Sequence, residues 1–448
     1  MRLLIHRLNI LTVIIIRQLL QRLLTLAFKS PISNGFMKWL HSCIIKVQLK
    51  IKSYIYKWKK YDVPQEFISS LEEYTADNGF YFEAVKNQEA FVMNKPKTLV
   101  DDVSEVFANY QTLQLKPQFI AVIPEGRVFA QGYVLSHDNR LIEELSMHQS
   151  MSGPSYIPVD KTHDVFSTDI ATKPAEYIDG RVLVLATPFA QGNYYHWMME
   201  LIPRIEILQA SNNALFDAID YFYINSPRTK YQKETLRALG IPSEKIIDEY
   251  WHPHVCAREL VVISRTRNGV DCFFRPETVH FIRNLFKGNL HREKTRRIYL
   301  NRKNVLYRKI LNEDQLEALL CTYGFESVSL DAMSVSQQAE LLSSCEMVVS
   351  PHGASLTNLV FCNEGAKVLE LFQADNVNPM YWGISNILNL DYYYLKSKPL
   401  KDTIKEDALD NFSDIIFDLK DVEQMLSLMV GDWNSLLNVL LAHENHVS

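Results

Sequence analysis

The chain has 448 residues, of which 47% are hydrophobic and 22% charged, a composition typical of globular proteins with two or three domains. Its net charge of −5 is unevenly distributed, because residues 1–61 contain 12 Lys or Arg and no Asp or Glu, whereas the remainder carries 35 basic and 52 acidic residues. An acidic body argues against nucleic-acid binding, which usually requires a clustered basic face.

The basic segment 1–61 is predicted to be an amphipathic helical segment that lies on a membrane surface. Its apolar stretch Leu8–Ile16 has nine residues between Arg7 and Arg17, which is too short to span a bilayer. Basic side chains along one side of such a helix would reach anionic headgroups while its apolar face enters the interface. The basic composition of this segment has two alternative interpretations. The segment could be a basic helix that packs on the acidic body, or the true first residue could be Met37.

Several well-known motifs are missing from the sequence. No two glycines lie two residues apart, which excludes the GxGxxG loop, and the sequence contains no Walker A, GxSxG or HExxH motif. No two aspartates lie two residues apart, so there is no DxD motif for a metal-bound diphosphate. The six cysteines contain no CxxC pair, which argues against a disulfide scaffold or a zinc site.

Residues 62–175 are mixed, and only the strands Gln118–Pro124 and Arg127–Leu135 are predicted there. From residue 180 onward, short buried strands alternate with helices. The first series consists of strand Arg181–Ala186, helix Tyr194–Gln209, strand Tyr221–Ile224, helix Thr229–Leu239, strand Leu260–Ser264 and helix Pro276–Phe286. The second consists of strand Arg297–Leu300, helix Glu313–Tyr323, strand Ser327–Leu330, helix Ser334–Ser343, strand Met347–Ser350, a helix from about Ser355 and strand Lys367–Phe372.

This alternation predicts an α/β fold with parallel sheets. Two such series in tandem predict two doubly wound domains facing one cleft, with ligands at the carboxyl ends of the strands. We expect the two domains to cover residues 62–290 and 291–400. One or two helices over 401–448 are expected to pack back on the body.

The segment Met347–Phe372, which reads MVVSPHGASLTNLVFCNEGAKVLELF, has the features of a diphosphate-binding site. A buried strand leads into His352 and Gly353, and a helix follows. Gly353 has no Cβ, so backbone amides there could approach an anion, and the amino end of the helix would point at the same place. His352 could donate to a phosphate oxygen. An ordinary strand–turn–helix with a buried histidine would give the same pattern.

Further candidate residues lie at predicted strand ends. Glu370 could accept hydrogen bonds from both hydroxyls of a ribose, or could serve as a salt-bridge partner. Asn301 and Arg302 directly follow a strand, and Arg308 lies six residues on. Arginine binds a diphosphate through paired hydrogen bonds. A solvated basic loop would also explain these residues.

His196 and Glu200, in the segment GNYYHWMMELIPR, are spaced i, i+4 and therefore share one helical face. The glutamate could fix the tautomer of the imidazole, which would then accept a proton. A surface pair without catalytic function has the same spacing.

Taken together, the segments GNYYHWMMELIPR, YLNRKN with Arg308, and SPHGASLTNLVFCNEGAKVLELF resemble glycosyltransferase family 61. Bacterial members of that family are usually labelled capsular polysaccharide biosynthesis proteins. The resemblance covers about residues 180–375. It implies a GT-B-like fold, in which two Rossmann-like domains face a nucleotide-sugar cleft, and an inverting reaction. Residues 62–290 would then be the acceptor-side domain and residues 291–400 the nucleotide-sugar-binding domain. The basic segment 1–61 is an addition to that pattern.

The resemblance also implies roles for individual residues. The implied donor-binding residues are Asn301, Arg302, Arg308, His352, Gly353, Ala354, Thr357, Asn358 and Glu370. On the acceptor side, His196 or Glu200 is the implied catalytic base. Asn301 departs from the family, which often has Ser there, but Asn keeps the hydrogen-bonding ability. Without a DxD motif we expect no divalent metal and no cofactor besides the donor substrate, because arginine and helix amides would stabilise the leaving group.

We therefore expect an inverting glycosyltransferase that moves a sugar from a nucleotide-sugar to a hydroxyl of a glycan or lipid-linked acceptor. The expected setting is capsular or exopolysaccharide synthesis, with the protein cytoplasmic and peripheral on the inner face of an anionic membrane. One alternative is a catalytically silent partner that binds a sugar nucleotide or glycan in an assembly complex. Another is a type II enzyme of the secretory pathway.

Overall fold

The computed structural model describes residues 58–59, 61–99, 103–146, 164–166, 173–211, 214–268, 273–290, 293–303, 309–374, 376–398 and 414–431. The predicted membrane-surface segment, residues 1–61, thus lies outside the described residues except for positions 58, 59 and 61. Among the described residues, no helix combines the length and the apolar character needed to cross a membrane.

The strands are β1 (Trp58–Lys59), β2 (Phe67–Ile68), β3 (Tyr81–Lys86), β4 (Glu89–Val92), β5 (Thr112–Leu115), β6 (Gln118–Pro124), β7 (Arg127–Phe129), β8 (Tyr133–Leu135), β9 (Leu141–Ile142), β10 (Ala175–Val184), β11 (Tyr221–Ile224), β12 (Ile246–Asp248), β13 (His254–Ile263), β14 (Arg267–Asn268), β15 (Phe273–Phe274), β16 (Arg296–Leu300), β17 (Phe325–Val328), β18 (Cys345–Pro351), β19 (Lys367–Phe372) and β20 (Asp391–Lys396).

The α-helices are α1 (Leu71–Asn78), α2 (Glu105–Ala108), α3 (Tyr194–His196), α4 (Arg204–Ala210), α5 (Ala214–Asp217), α6 (Lys230–Ala238), α7 (Pro276–Leu285), α8 (Glu313–Thr322), α9 (Val335–Ser343), α10 (Met380–Ile387) and α11 (Leu419–Val430). Two further helical segments matter for the site: a π-helical turn over Trp197–Leu201 and a 3₁₀ helix over Ala354–Phe361. Short 3₁₀ turns cover Glu143–Leu145, Asp164–Phe166, Ser243–Lys245 and Lys287–Asn289.

The first sheet is mixed, and four parallel strands in the order β12-β11-β10-β13 form its centre. Beyond β13 the sheet continues through the antiparallel strands β6 and β7. Of the four parallel strands β10 comes first in the chain and β13 last. The winding direction therefore reverses between β10 and β13, and a crevice for ligands is expected at their carboxyl ends.

The second sheet contains five parallel strands in the order β17-β16-β18-β19-β20. Here the winding reverses between β16 and β18, the first and third strands of the sheet in chain order. The predicted α/β class with parallel strands is confirmed. The antiparallel part of the first sheet is additional to what the alternation of strands and helices indicated.

One buried apolar cluster runs through the helices between the two sheets. It contains Leu183 of β10, Val348 of β18, and the indoles of Trp197 and Trp382. Both indoles satisfy their N–H groups: Trp197 donates to the Thr235 hydroxyl at 2.8 Å, and Trp382 to a backbone carbonyl at 2.9 Å. Since these helices carry the candidate site residues, the shared core fixes the positions of those residues.

Two elements predicted before residue 210 differ from the observed ones. The strand predicted over Arg127–Leu135 is a hairpin of β7 and β8, because Ala130 and Gly132 adopt positive φ angles of 47° and 101°. The helix predicted over Tyr194–Gln209 is divided into α3, the π turn and α4. Pro203, which has no backbone N–H to continue the helix, precedes α4.

Candidate active site

Arg302 and His352 meet at the winding reversal of the second sheet. Arg302 follows β16 and His352 follows β18, and the two strands are hydrogen-bonded neighbours. Nη1 of Arg302 donates to the backbone carbonyl of His352 at 3.0 Å. The residues that the strand-end argument singled out therefore lie side by side, at the sheet edge where α/β proteins bind ligands.

The absence of a side chain at Gly353 leaves room for the Arg302 guanidinium. Gly353 is extended, with φ 169°, so its backbone conformation does not itself require glycine. A Cβ at this position would instead collide with Nη1 of Arg302. The guanidinium of Arg302 thus occupies the space that the missing Cβ leaves, and the predicted close approach of an anion to the backbone amides stays a prediction.

The segment after Gly353 is a 3₁₀ helix, whereas an α-helix was expected from about Ser355. Ala354 at its start is partly exposed, but Thr357 and Asn358 are buried, with 0% and 1% of their surface exposed. The Thr357 hydroxyl has no hydrogen-bond partner among the described residues. Their predicted contact with a donor stays a prediction.

His352 and Glu370 form a hydrogen-bonded pair. Nδ1 of His352 lies 2.5 Å from Oε1 of Glu370, which is fully buried on β19. The other oxygen of Glu370 accepts from the hydroxyl of Tyr392 on β20. The His352 ring also stacks on Phe372, with centroids 5.3 Å apart. Glu370 thus orients an imidazole, which the sequence did not indicate, and its predicted contact with a nucleoside stays a prediction.

The other two predicted donor residues have different outcomes. The side chain of Asn301 donates to the hydroxyl of Ser327 on β17 at 2.9 Å, so it contacts the strand on the opposite side of β16 from His352. Arg308 lies outside the described residues.

His196 and Glu200 form the second histidine–glutamate pair. Asn193 caps α3 by accepting from the backbone N–H of Tyr195 at 2.9 Å. Nδ1 of His196 lies 2.9 Å from Oε1 of Glu200, so the contact expected from the i, i+4 spacing is present although a π turn carries Glu200. π turns of this kind are frequent at functional sites.

Glu200 is 5% exposed and is held as a carboxylate by positive neighbours. Nη1 of Arg267 donates to its Oε1 at 3.3 Å. Burial alone would raise the pKa of Glu200, but interactions with His196 and two arginines outweigh burial and lower the pKa to about 2. A charged Glu200 accepts hydrogen bonds only, so it places the proton of the neutral His196 ring on Nδ1 and leaves Nε2 as the basic atom.

Sequence reasoning missed the basic residues around Glu200. A small cavity at the carboxyl ends of β10 and β13 is lined by Leu145, Thr187, Pro188, Glu200, Arg204, Arg265, Thr266 and Arg267. Nη1 of Arg204 donates to the carbonyl of Ala186 at 3.2 Å. Arg265 and Arg267 follow the predicted strand Leu260–Ser264, so the strand-end argument that identified Arg302 applies to them as well.

The two histidine–glutamate pairs lie on either side of an aromatic contact. The Tyr381 ring on α10 lies 5.4 Å from the His352 ring and 5.9 Å from that of Tyr195, the neighbour of His196. The Tyr194 hydroxyl donates to Oδ1 of Asn358 at 2.8 Å. The structure thus brings together candidates that are 156 residues apart in sequence, numbers 196 and 352.

The described part of the chain contains no cluster of three or more His, Cys, Asp or Glu side chains that could hold a metal ion. The cationic groups described above are the guanidinium groups of arginines. Such groups can stabilise a developing negative charge without a metal.

Comparison with known proteins points to one family. The family model described as glycosyltransferase 61 matches residues 194–369. The EGF domain-specific O-linked N-acetylglucosamine transferase of Drosophila melanogaster is 33% identical to this chain over 89 residues, which is 19% of this chain and 17% of that relative. The alignment with this curated relative thus spans about one sixth of its length. The matched family segment includes His196, Glu200, Arg302 and His352.

Proposed function

From the match of residues 194–369 to the glycosyltransferase 61 family model, we propose that the protein is an inverting, nucleotide-sugar-dependent glycosyltransferase of that family. The observation that carries the proposal is the convergence of Arg302 and His352 at the winding reversal of the second sheet, near the His196–Glu200 pair. One group of residues suits a leaving diphosphate and the other suits proton removal from an acceptor.

The proposed reaction is a single displacement at the anomeric carbon. The acceptor hydroxyl oxygen forms a bond to that carbon while the bond to the diphosphate oxygen breaks, and the nucleoside diphosphate leaves with the electron pair. Attack from the side opposite the leaving group inverts the configuration. The hydroxyl proton moves to Nε2 of His196 and later to solvent.

Of the two candidate bases, the geometry favours His196. Glu200 is buried, hydrogen-bonded to His196 and Arg267, and held ionised with a pKa of about 2, which makes it a weak proton acceptor. Its role in this proposal is to orient the imidazole and to stabilise the positive charge that forms there.

Donor binding is proposed to involve Arg302, Arg308, His352, Gly353, Ala354, Thr357 and Asn358. Asn301 and Glu370 are proposed to lie next to this donor site. The guanidinium of Arg302 can hold two oxygens of a diphosphate. Positive charge fixed before the reaction stabilises the leaving group, so no divalent ion is required. Transfer should therefore persist in EDTA.

The test is a donor screen followed by one substitution. Wild-type protein is incubated with UDP-, GDP-, CDP- and dTDP-sugars, and release of the nucleoside diphosphate is measured. Arg302→Ala should abolish release while circular dichroism stays unchanged. Lys303→Ala removes the adjacent cation, whose Nζ pairs with Glu317 at 2.5 Å, and should keep wild-type activity. Turnover by Arg302→Ala at the wild-type rate would refute the assignment, and binding without turnover in the wild type would favour a silent binding partner.

We further propose that the acceptor is a glycan or lipid-linked glycan of capsular or exopolysaccharide synthesis, reached at the inner face of the membrane. The support is the basic segment 1–61, with 12 Lys or Arg and no acidic residue. Because β1 at Trp58–Lys59 pairs with β10, a deletion should end at residue 56. The shortened protein should no longer sediment with phosphatidylglycerol vesicles. Unchanged sedimentation would refute the anchor.

A further inference from the structure

Tyr392 on β20 is the third member of a buried hydrogen-bond chain that ends at His352. Its hydroxyl donates to Oε2 of Glu370, and Oε1 of Glu370 lies 2.5 Å from Nδ1 of His352. Glu370 is fully buried and Tyr392 is 4% exposed. A buried carboxyl group is costly unless hydrogen bonds satisfy its oxygens, and these two contacts supply one to each oxygen.

Tyr392 can act in this chain only as a hydrogen-bond donor to Glu370. Burial, and secondly the neighbouring Glu370, raise the pKa of Tyr392 well above its ordinary value, so the phenol keeps its proton at neutral pH. The donor thus holds one oxygen of the carboxylate in place, and the other oxygen is aimed at the imidazole.

Aromatic contacts also hold the His352 ring in place. It stacks on Phe372 at an interplanar angle of 27° and packs against Tyr381 at 5.4 Å. Stacking fixes the plane of the ring but not which edge of it faces the cleft. The hydrogen bond from Nδ1 to Glu370 fixes the edge, and it leaves Nε2 as the nitrogen available to a ligand.

We propose that Tyr392 is a positioning residue for the transfer reaction, acting through Glu370 to present Nε2 of His352 to the departing diphosphate. This inference rests on the proposed function. Tyr392 lies outside the family-matched segment 194–369, so the match itself gives it no role. Misorientation of an imidazole by the loss of one supporting hydrogen bond typically reduces the chemical step more than it reduces binding.

The same strand offers a matched control. Tyr394 is two residues further along β20 and therefore on the same face, and it is 2% exposed. Its hydroxyl accepts from the backbone N–H of Ser104 at 3.0 Å. Both rings contact Phe107. Tyr394→Phe thus removes a buried hydroxyl from the same environment without touching the Glu370–His352 pair.

The experiment compares wild type, Tyr392→Phe and Tyr394→Phe in the full chain, with the nucleotide sugar that the wild type turns over best. Tyr392→Phe should lower kcat by about 10–100-fold, change the KM for the donor by about threefold or less, and shift the pH profile of kcat. Tyr394→Phe should keep the wild-type kcat and pH profile. Equal losses in both variants, or an unchanged kcat in Tyr392→Phe, would overturn the proposal.

Two further measurements keep the test decisive. In a Glu370→Gln background, Tyr392→Phe should cause little additional loss of kcat, because the chain is already broken; an additive loss overturns the proposal. Labelling of His352 by diethyl pyrocarbonate, read by peptide mass spectrometry, needs no turnover. The pH dependence of this labelling should change in Tyr392→Phe and not in Tyr394→Phe. Identical pH dependences in the two variants would refute the proposed hydrogen-bond chain from Tyr392 to His352. If the wild type transfers no sugar, the proposed function fails, whereas the labelling still tests the contact.

Discussion

The guanidinium of Arg302 occupies the space that a Cβ on Gly353 would need. The same guanidinium donates to the backbone carbonyl of His352, the residue before Gly353. Glycine at 353 therefore serves to admit an arginine from the neighbouring strand end. The two strand ends that form the proposed donor site depend on each other through this contact.

Gly353→Ala is expected to displace the Arg302 side chain. The extended backbone at 353 tolerates alanine, so the fold should persist. The affinity for the nucleoside diphosphate product should fall by about tenfold or more, because one charge-assisted contact corresponds to at least 1.5 kcal/mol, roughly a tenfold change. Isothermal titration with UDP and GDP measures this loss.

Gly288→Ala is the control for that variant, because a Cβ at Gly288 meets no atom within 4 Å. Its affinity and activity should equal those of the wild type. Wild-type affinity in Gly353→Ala would show that the position of the Arg302 guanidinium does not matter for donor binding.

Glu200→Gln is expected to impair catalysis rather than donor binding. The amide cannot compensate the positive charge that forms on His196, so kcat should fall by about 10²–10⁴-fold while the donor KM stays similar. The variant should also lose stability, because Arg267 is 6% exposed and loses its charged partner. Initial rates and urea denaturation separate the two effects.

The first sheet supplies a matched control for Glu200→Gln. Nδ1 of His252 lies 2.8 Å from Oε2 of Glu176, a pair of the same chemistry near the amino end of β10. Glu176→Gln should therefore cost some stability and leave kcat unchanged. If both variants lost kcat equally, the effect of Glu200→Gln would be structural.

Tyr194→Phe tests the contact between the two candidate groups. The variant removes the donor to Oδ1 of Asn358, which is 1% exposed, and leaves a buried acceptor without it. The free energy of unfolding should fall by about 1–3 kcal/mol. Urea denaturation would show this as a lower midpoint at constant m value. Tyr177→Phe, which loses a hydrogen bond to Glu125 elsewhere in the first sheet, should change stability less. A midpoint equal to that of the wild type would show that the hydrogen bond between Tyr194 and Asn358 does not stabilise the protein.

Much of the parallel framework could be predicted, because buried strands are short apolar runs that end at polar residues. The prediction placed Arg302 and His352 at strand ends, and in a parallel sheet all such ends meet at one edge. That β16 and β18 are neighbours could not be known, because strand order depends on packing between distant segments. The sheet order places the winding reversal between the strands that end at these two residues.

Several unpredicted features of the candidate site depend on contacts distant in sequence. Glu370 meets His352 and Tyr392 because β18, β19 and β20 are adjacent, which no local pattern encodes. Thr357 was expected to line the donor site, and the 3₁₀ helix that carries it is buried. Arg267 pairs with Glu200 across 67 residues of sequence.

Glu249 carries a pH dependence of stability that is separate from the proposed chemistry. It lies just beyond β12, is 6% exposed, and accepts from Nδ2 of Asn225 at 3.1 Å. Burial, reinforced by the charge of Asp248, outweighs the Asn225 hydrogen bond and raises the pKa of Glu249 to about 7. The folded protein thus binds this proton more tightly than the unfolded chain, so stability falls as the pH rises from about 4.5 through 7.

Glu249→Gln should remove that part of the pH dependence, since the amide keeps an oxygen for Asn225 and carries no charge. Relative to the wild type, the variant should gain about 1–3 kcal/mol in the free energy of unfolding at pH 8. Near pH 4.5 the two proteins should be equally stable. Urea denaturation at both pH values measures the difference. Glu244→Gln, an exposed site in the same region, should shift neither curve. A variant curve parallel to that of the wild type would mean that Glu249 is already ionised at no cost in the folded protein.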